Sequence, residues 1–520
     1  MEPAVANLPE PLFERTVELL RKLTAISSDS GDPVGLRRVA ERLASALRER
    51  GLAVEIREED GASPLPVLYA RGADTSRGHL LLIGHLDTVL PALEPHLDGD
   101  RLVATGAIDM KGGLAAFVGA LDLLRHRGQQ PPSDLLLVVV PDEEVGGELS
   151  RAAVRRWGET ARALWVLEPG EPGEGKDAET IVAGRRGMFQ WRLEAQGQAA
   201  HSGLHYWEGR SALVAAASWV AKAEALSHPE GGPTVNAGRF VAGDATFVDG
   251  LATAHALLGT DRQLNVVPDR AIIEGEARFL RASECADLAR RLEDLAREVA
   301  AATGTEITFA TSGTIPPVDP SGPHSGTCNR AVALAAAAGW RLEIEEERGG
   351  ISFPNFLPDP DRIPILDGLG PIGGGMHTRE EYVELRSLRR RIVLLADLMA
   401  EDGQELDRRA TAFQAEIEKR LASGPTTPMD FSELTKVRVE ACFNSAGGRE
   451  PLAIQVVEVL SPKRRARGLG DIKRPTGRGG RPDRRCHCVK ALASSLIFGT
   501  PTPVTMSKPG PAAKAPLLPD

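Results

Sequence analysis

Between about Pro11 and Ala400 the chain alternates short, near-continuous apolar runs with longer stretches in which apolar residues recur every three or four positions. The runs His79 to Gly84 (HLLLIG), Leu135 to Val140 (LLLVVV), Ala163 to Leu167 (ALWVL) and Ile363 to Leu366 (IPIL) predict strands buried on both faces. The periodic stretches Pro11 to Thr24, Leu36 to Arg50, Lys111 to His126 and Tyr382 to Met399 predict the helices that cover them. Strand and helix in alternation define an α/β domain with a mixed, mostly parallel sheet. From about Gly184 to Thr305 the pattern changes to alternating strands, such as Met188 to Ala195 and Ala271 to Phe279, around helices at Arg210 to Leu226 and Ala282 to Ala302. The expected organisation is therefore a first domain built from residues 1–183 and 306–402, interrupted by a smaller α+β insert at 184–305. Beyond it, 403–520 reads as a helix from about Gln404 to Leu421 and then a Gly-, Pro- and Arg-rich tail with too little apolar surface to pack, expected to be poorly ordered.

Composition narrows the class. With 520 residues, 42% hydrophobic and 26% charged, the chain can bury sizeable cores and is neither disordered throughout nor fibrous. Five cysteines, an odd number without a pairing pattern, exclude a disulfide scaffold and suit a reducing compartment. The N-terminus places acids among its apolar residues, unlike an export signal, and no run of eighteen uncharged apolar residues is present to span a bilayer. A cytoplasmic protein with no membrane partner is expected. The net charge of −10 is uneven: Ser461 to Lys490 carries 11 basic residues against two acids, or +9, which leaves −19 on the remainder. That basic stretch is compatible with binding nucleic acid or another polyanion, but it lacks the interleaved aromatics on which bases stack. The Cys486, His487, Cys488 cluster lacks the paired CxxC of structural zinc sites.

The chemistry concentrates in residues just beyond predicted strands. HLLLIGHLDTVLP places His85 and Asp87 at a strand end, ATGAIDMKGG places Asp109 in a glycine-flanked loop, VVVPDEEVGG places Glu143 and Glu144 after the next strand, and WVLEPGEP places Glu168 after another. His377, in GGGMHTREEY, adds a second imidazole. Loops at the carboxyl ends of parallel strands face one crevice. Imidazoles and carboxylates gathered there would repel without a cation, and such nitrogen and oxygen donors suit divalent zinc, cobalt or manganese.

In this order the motifs HLDTV, GAIDMKGG, PDEEVGG, LEPG, AHSG, NVVP and MHTREEY resemble the zinc-dependent M20 metallopeptidases, a group that includes glutamate carboxypeptidases, aminoacylases, acetylornithine deacetylases and succinyl-diaminopimelate desuccinylases. The segment from EPG through AHSG is most similar to the glutamate carboxypeptidase branch. The resemblance implies two zinc ions per subunit, with cobalt or manganese as alternatives. It makes His85 and Glu168 terminal ligands of one, Glu144 and His377 terminal ligands of the other, and Asp109 the shared carboxylate. Asp87 matches the acid that orients a ligand imidazole, and Glu143 the general base that takes a proton from water and delivers it to the leaving amine. The insert then corresponds to a ferredoxin-like lid and dimerisation domain of a homodimer. His201, in AAHSG, resembles the histidine lent by the partner subunit to an oxyanion. Asn265 resembles a substrate-binding residue, and Arg278 the arginine that pairs with a substrate carboxylate.

The implied activity is hydrolysis of the amide bond of an N-acyl amino acid or a short peptide with a free carboxylate. A biosynthetic deacylase of the acetylornithine or succinyl-diaminopimelate type is the alternative among enzymes. In GGISFPNF, Phe353 stands where the family usually has an aspartate, and a bulky apolar group cannot replace a carboxylate's hydrogen bonds. That departure keeps open a reading of another class, a metal-containing binding protein without turnover.

Overall fold

The apolar runs form the interior of a six-stranded sheet ordered Ala53–Glu59, Leu65–Arg71, Leu135–Val140, His79–His85, Ala161–Val166, Ile365–Leu366. The computed structural model describes residues 8–59, 64–73, 79–175, 177–229, 231–251, 266–422, 437–443, 451–459 and 487–492, with side chains as far as 404. Every residue of the two central strands, Leu135–Val140 and His79–His85, is buried, as expected for strands covered on both faces. Just past their ends the chains stay in step: the Leu86 N–H donates to the Val140 carbonyl at 2.7 Å and the Leu167 N–H to the Ile83 carbonyl at 3.0 Å. Three strands thus release their following loops side by side. The sheet is mixed and mostly parallel, as the sequence pattern predicts.

Helix Lys111–His126 is buried almost all round and lies directly on the sheet. Its approach depends on Gly113, where a Cβ would sit 2.0 Å from the Leu167 carbonyl oxygen. Helix Pro33–Arg48 begins on Asp32, whose carboxylate accepts the N–H groups of Val34 and Gly35, with proline in the first turn.

The insert forms a four-stranded antiparallel sheet ordered Thr234–Gly243, Arg270–Phe279, Gly187–Gln196, Glu306–Ile315. Along Gly187–Gln196 buried and outward positions alternate, and the inward face, with Phe189, Trp191, Leu193 and Ile273, packs with Trp219 of helix Ala212–Glu224 and Leu288 and Leu292 of helix Ala282–Thr303. The Trp191 and Trp219 rings meet edge to face at 4.9 Å, and the Trp219 Nε1–H donates to the Leu292 carbonyl. Strand Glu306–Ile315 extends this sheet past the expected boundary at 305, because it pairs along nearly its whole length with Gly187–Gln196.

At the other end, Tyr382–Glu384 is a short strand, and the two helices expected on either side of Ala400 are one, Leu385–Ala422. A lone glycine, Gly403, costs a helix only about 1 kcal/mol and does not stop it. Residues 71–79, 130–135 and 399–520 group as a separate unit, in which Val437–Phe443 pairs antiparallel with Pro451–Val459 on one side and His487–Leu492 on the other. The basic stretch from Lys463 to Arg485 and Cys486 lie outside the described residues. Among the described residues no helix is long and apolar enough to cross a membrane.

A buried ionic cluster joins the last helix to the body. Glu179, 1% exposed at its side chain, accepts from Arg390 and Arg391 at 2.9 Å each and from the Ser387 hydroxyl at 2.8 Å. Arg391 also donates to the carbonyls of Thr180 and Gly368. Removing the acid would strand two guanidinium groups out of water, so Glu179→Ala should destabilise the fold by about 3–5 kcal/mol in denaturant unfolding. A loss under 1 kcal/mol would show that water or a neighbour takes over the charge.

Candidate metal centre

The three strand ends and a hairpin bring the sequence-predicted donors together. His85 closes its strand, Glu143 and Glu144 lie in the single 3₁₀ turn Glu143–Val145 after Leu135–Val140, and Glu168 follows Ala161–Val166. Asp109 and His377 come from a second, four-stranded sheet, ordered Gly373–Gly374, Tyr382–Glu384, Arg101–Val103, His96–Asp98. Asp109 lies between strand Arg101–Val103 and helix Lys111–His126, and His377 in the connection from Gly373–Gly374 to Tyr382–Glu384. That connection is tight enough to hold His377 at φ +63°, a conformation that costs a non-glycine residue of order 1 kcal/mol.

The two oxygens of Asp109 face different imidazoles. The His85 Nε2 is 3.1 Å from Oδ1 and 3.8 Å from Glu168 Oε1; the His377 Nε2 is 3.4 Å from Oδ2 and 3.2 Å from Glu144 Oε2. In each of the groups His85, Asp109, Glu168 and Asp109, Glu144, His377, the donor atoms lie within 4.8 Å of one another. The first group is the more buried, while the His377 side chain is 53% exposed and borders a small open pocket shared with Thr88, Val89, Leu90 and Glu144.

Asp87 has no exposed surface at its side chain and organises this arrangement from behind. Its carboxylate accepts the Ser30 hydroxyl at 2.8 Å and the N–H groups of Glu143 and Glu144 at 3.2 and 3.1 Å. It therefore fixes the turn that carries both glutamates. The His85 Nδ1 lies 3.0 Å from the Asp87 carbonyl and 3.3 Å from its carboxylate, an acceptor pair that calls for a proton on Nδ1 and turns Nε2 towards Asp109 and Glu168.

The titration behaviour of the cluster tests whether a cation fits. Burial and the Asp109 charge push Glu144 up to about 7 and Glu168 well above the usual carboxylate range; burial also raises Glu143, against the pull of His85. The hydrogen bond to Asp109 lifts His377 to about 9, with Glu144 adding to it. His85 is likewise raised by Asp109 and Asp87 although burial opposes, and Asp109 is held well below its ordinary value by the two imidazoles, again against burial. The raised groups are those whose protons a bound cation would displace, and all five side chains are of types that divalent zinc, cobalt or manganese accept.

The other expected site residues are placed differently. His201 is exposed on the insert, where its Nδ1 accepts the N–H groups of Gly203 and Leu204, and belongs to neither donor group. Arg278 donates from Nη1 to the Gly349 carbonyl at 2.6 Å and from Nε to Glu276 at 2.9 Å, which brings it to the loop that leads to Phe353. Asn265 lies outside the described residues. Phe353 is fully buried, its ring 6.5 Å from the His85 imidazole.

Two further residues bear on the centre. Arg185, paired with Asp367 and donating to the Gly350 carbonyl, is buried where its charge reaches Glu168 and Glu143. Lys111 is buried with its amine 3.1 Å from the Ile26 carbonyl, and burial lowers its pKa to about 8. In the sequence both are cations beside glycines, and nothing distinguishes them from surface charges.

This fold and site define a metallohydrolase. The sequence profile of peptidase family M20/M25/M40 matches residues 81–401, more than half of the chain, and the protein belongs to that family. It is 24% identical over 393 residues to carboxypeptidase G2 of Pseudomonas sp. (strain RS-16), covering 74% of this chain and 89% of that protein. It is 28% identical over 346 residues to a succinyl-diaminopimelate desuccinylase of Rhodospirillum centenum, covering 64% and 83%. In structure it is similar to the aminopeptidase PepT of Bacillus cereus, with a TM-score of 0.61 at 21% identity over 75% of this chain and 98% of the other.

If Glu144 and His377 hold a metal and Glu143 does not, Glu144→Ala and His377→Ala will lose metal by elemental analysis while Glu143→Gln keeps the full complement. Loss from the Glu143 variant alone would reverse the two glutamates.

Proposed function

We propose that this member of the family hydrolyses the amide bond of N-acyl amino acids or short peptides that carry a free carboxylate. The observation that supports it most is the shared carboxylate, Asp109, with each oxygen turned to a separate histidine and glutamate pair. On this reading His85, Asp109 and Glu168 hold one zinc and Asp109, Glu144 and His377 the other. Ions held there would lower the pKa of a nearby water and polarise the scissile carbonyl. Glu143, raised by burial and held by Asp87 through its N–H, takes the proton on its carboxylate and returns it to the leaving amine. Arg278 exchanges the Gly349 carbonyl for the substrate carboxylate, a better partner for its planar fork, and Asn265 contributes to substrate binding.

The test is a panel of N-acyl amino acids and short peptides with zinc, cobalt or manganese added, in which N-acetylornithine and N-succinyl-diaminopimelate represent the deacylase alternative. Turnover should appear and should fall about 10²–10⁴-fold in Glu143→Gln. Fully metallated protein without turnover on any member would favour the binding-protein reading.

The same proposal makes the protein a homodimer through the insert, with His201 acting across subunits on the developing oxyanion. Strand Thr234–Gly243 is an edge of its sheet, and Leu204, Tyr206, Leu213, Val214 and Phe240 are exposed on the insert together with Trp207, which is 93% exposed. Exposed apolar side chains of this number on one part of the chain support that reading. Mixing inactive His201→Ala with inactive Glu143→Ala, followed by subunit exchange, should restore activity to about a quarter of the sites, since half of the randomly paired dimers hold one competent site. An active monomer by light scattering would remove the role in trans.

A further inference from the structure

We propose that Glu381 is a positioning residue for the metal centre, whose buried carboxylate fixes the loop from which Asp109 reaches both donor groups. The proposal rests on the assignment of those groups as the metal site. Glu381 lies four residues beyond His377 and is 4% exposed. Its Oε2 accepts the Gly106 N–H at 2.8 Å, and its Oε1 accepts the N–H groups of Ile108 and Asp109 at 3.1 Å each. The Ala104 N–H donates to the Glu381 backbone carbonyl at 3.0 Å. Four backbone donors of one short loop therefore end on a single residue some 275 positions away in the chain.

A carboxylate that receives several N–H bonds is a strong and directional acceptor, and leaving buried N–H groups unpaired would cost free energy at each. The loop is built for this contact. Gly106 adopts φ +74°, and a Cβ there would lie 2.8 Å from the Thr88 side chain, so its N–H is aimed by a conformation that favours glycine. Tyr382–Glu384 pairs with Arg101–Val103, which fixes the backbone of Glu381 beside the loop it holds. The buried Lys111 offsets the added negative charge, lying near both Glu381 and Asp87.

Glu381 is thus joined through the chain to the turn of His377 and through its carboxylate to the loop of Asp109, and it sets the separation of two members of the candidate donor group Asp109, Glu144, His377. Although it borders the same pocket as His377 and Asp109, its oxygens are directed at backbone N–H groups, and it is not in either donor group. Its action is on the ligand, not on the ion.

The test uses the full chain stripped of metal by chelator, with zinc affinity measured by competition against a chromogenic chelator and the folding of the metal-free protein followed by circular dichroism and thermal unfolding. Glu381→Gln keeps the shape and one acceptor oxygen but turns an amide NH₂ towards an N–H. It should bind zinc about 10–100-fold more weakly while the metal-free protein stays folded. Glu381→Ala should bind more weakly still, and Glu380→Gln, at the exposed neighbour, should match wild type. If the alanine variant does not fold, the glutamine variant decides. Wild-type zinc affinity in folded Glu381→Gln overturns the positioning role alone, whereas a wild-type protein that takes up no zinc removes the metal centre and this role with it.

Discussion

Asp109 is a largely buried carboxylate between two imidazoles, with Glu168 beyond one and Glu144 beyond the other. Within each donor group the carboxylate oxygens lie within 4.8 Å of one another, and two like charges at about that distance repel by roughly 3–4 kcal/mol at the effective dielectric of a protein surface, and more where water is excluded. Positive charge inside the cluster offsets that repulsion, and the carboxylates accordingly raise His85 and His377 above the ordinary imidazole range. The remainder of the body acts to keep donors in place that would otherwise separate. Asp87 illustrates the method, since one buried carboxylate fixes the ring of His85 and, through two N–H bonds, the backbone of Glu143 and Glu144.

Rigidity is built at several distances from the centre. Closest are the strand ends, held in step by the bonds from Leu86 to Val140 and from Leu167 to Ile83. Behind them, the glycine face of helix Lys111–His126 reaches the backbone of Leu167, next to Glu168. Farther out, Glu179 with Arg390 and Arg391 ties the last helix to Thr180 and Gly368, on the segment that continues to His377. Sites of this kind need their groups held within about half an ångström, and buried ionic contacts supply orientation that apolar packing alone does not.

The loop that starts at Gly349 and Gly350 is where the insert meets the centre. Arg278 comes from the insert to the Gly349 carbonyl, and Arg185, paired with Asp367, reaches the Gly350 carbonyl. Phe353 follows three residues later, closed against His85. An aromatic ring there offers no hydrogen bond and excludes water, which strengthens the electrostatics beside it and removes an acceptor that a polar substrate group could use. Phe353 removes no donor from the cluster.

The sequence by itself determined the α/β class, the main strands and helices, and which five side chains to expect close together, because buried strands read as uninterrupted apolar runs and because His85, Asp109, Glu144, Glu168 and His377 sit in motifs at strand ends and glycine-rich turns. It did not determine that Leu385–Ala422 is one helix or that Glu306–Ile315 belongs to the sheet of the insert. A lone glycine is a weak stop signal, and strand partnership is set by pairing across more than a hundred residues. Which oxygen of Asp109 faces which imidazole, the pairing of Arg185 with Asp367, and the reach of Glu381 to Gly106, Ile108 and Asp109 were decided only by the tertiary structure. A buried glutamate among REEYVE and a buried arginine in GRRG have the local pattern of surface charges. Their function comes from partners brought close by folding, and the spacing of residues along the chain carries no trace of that contact.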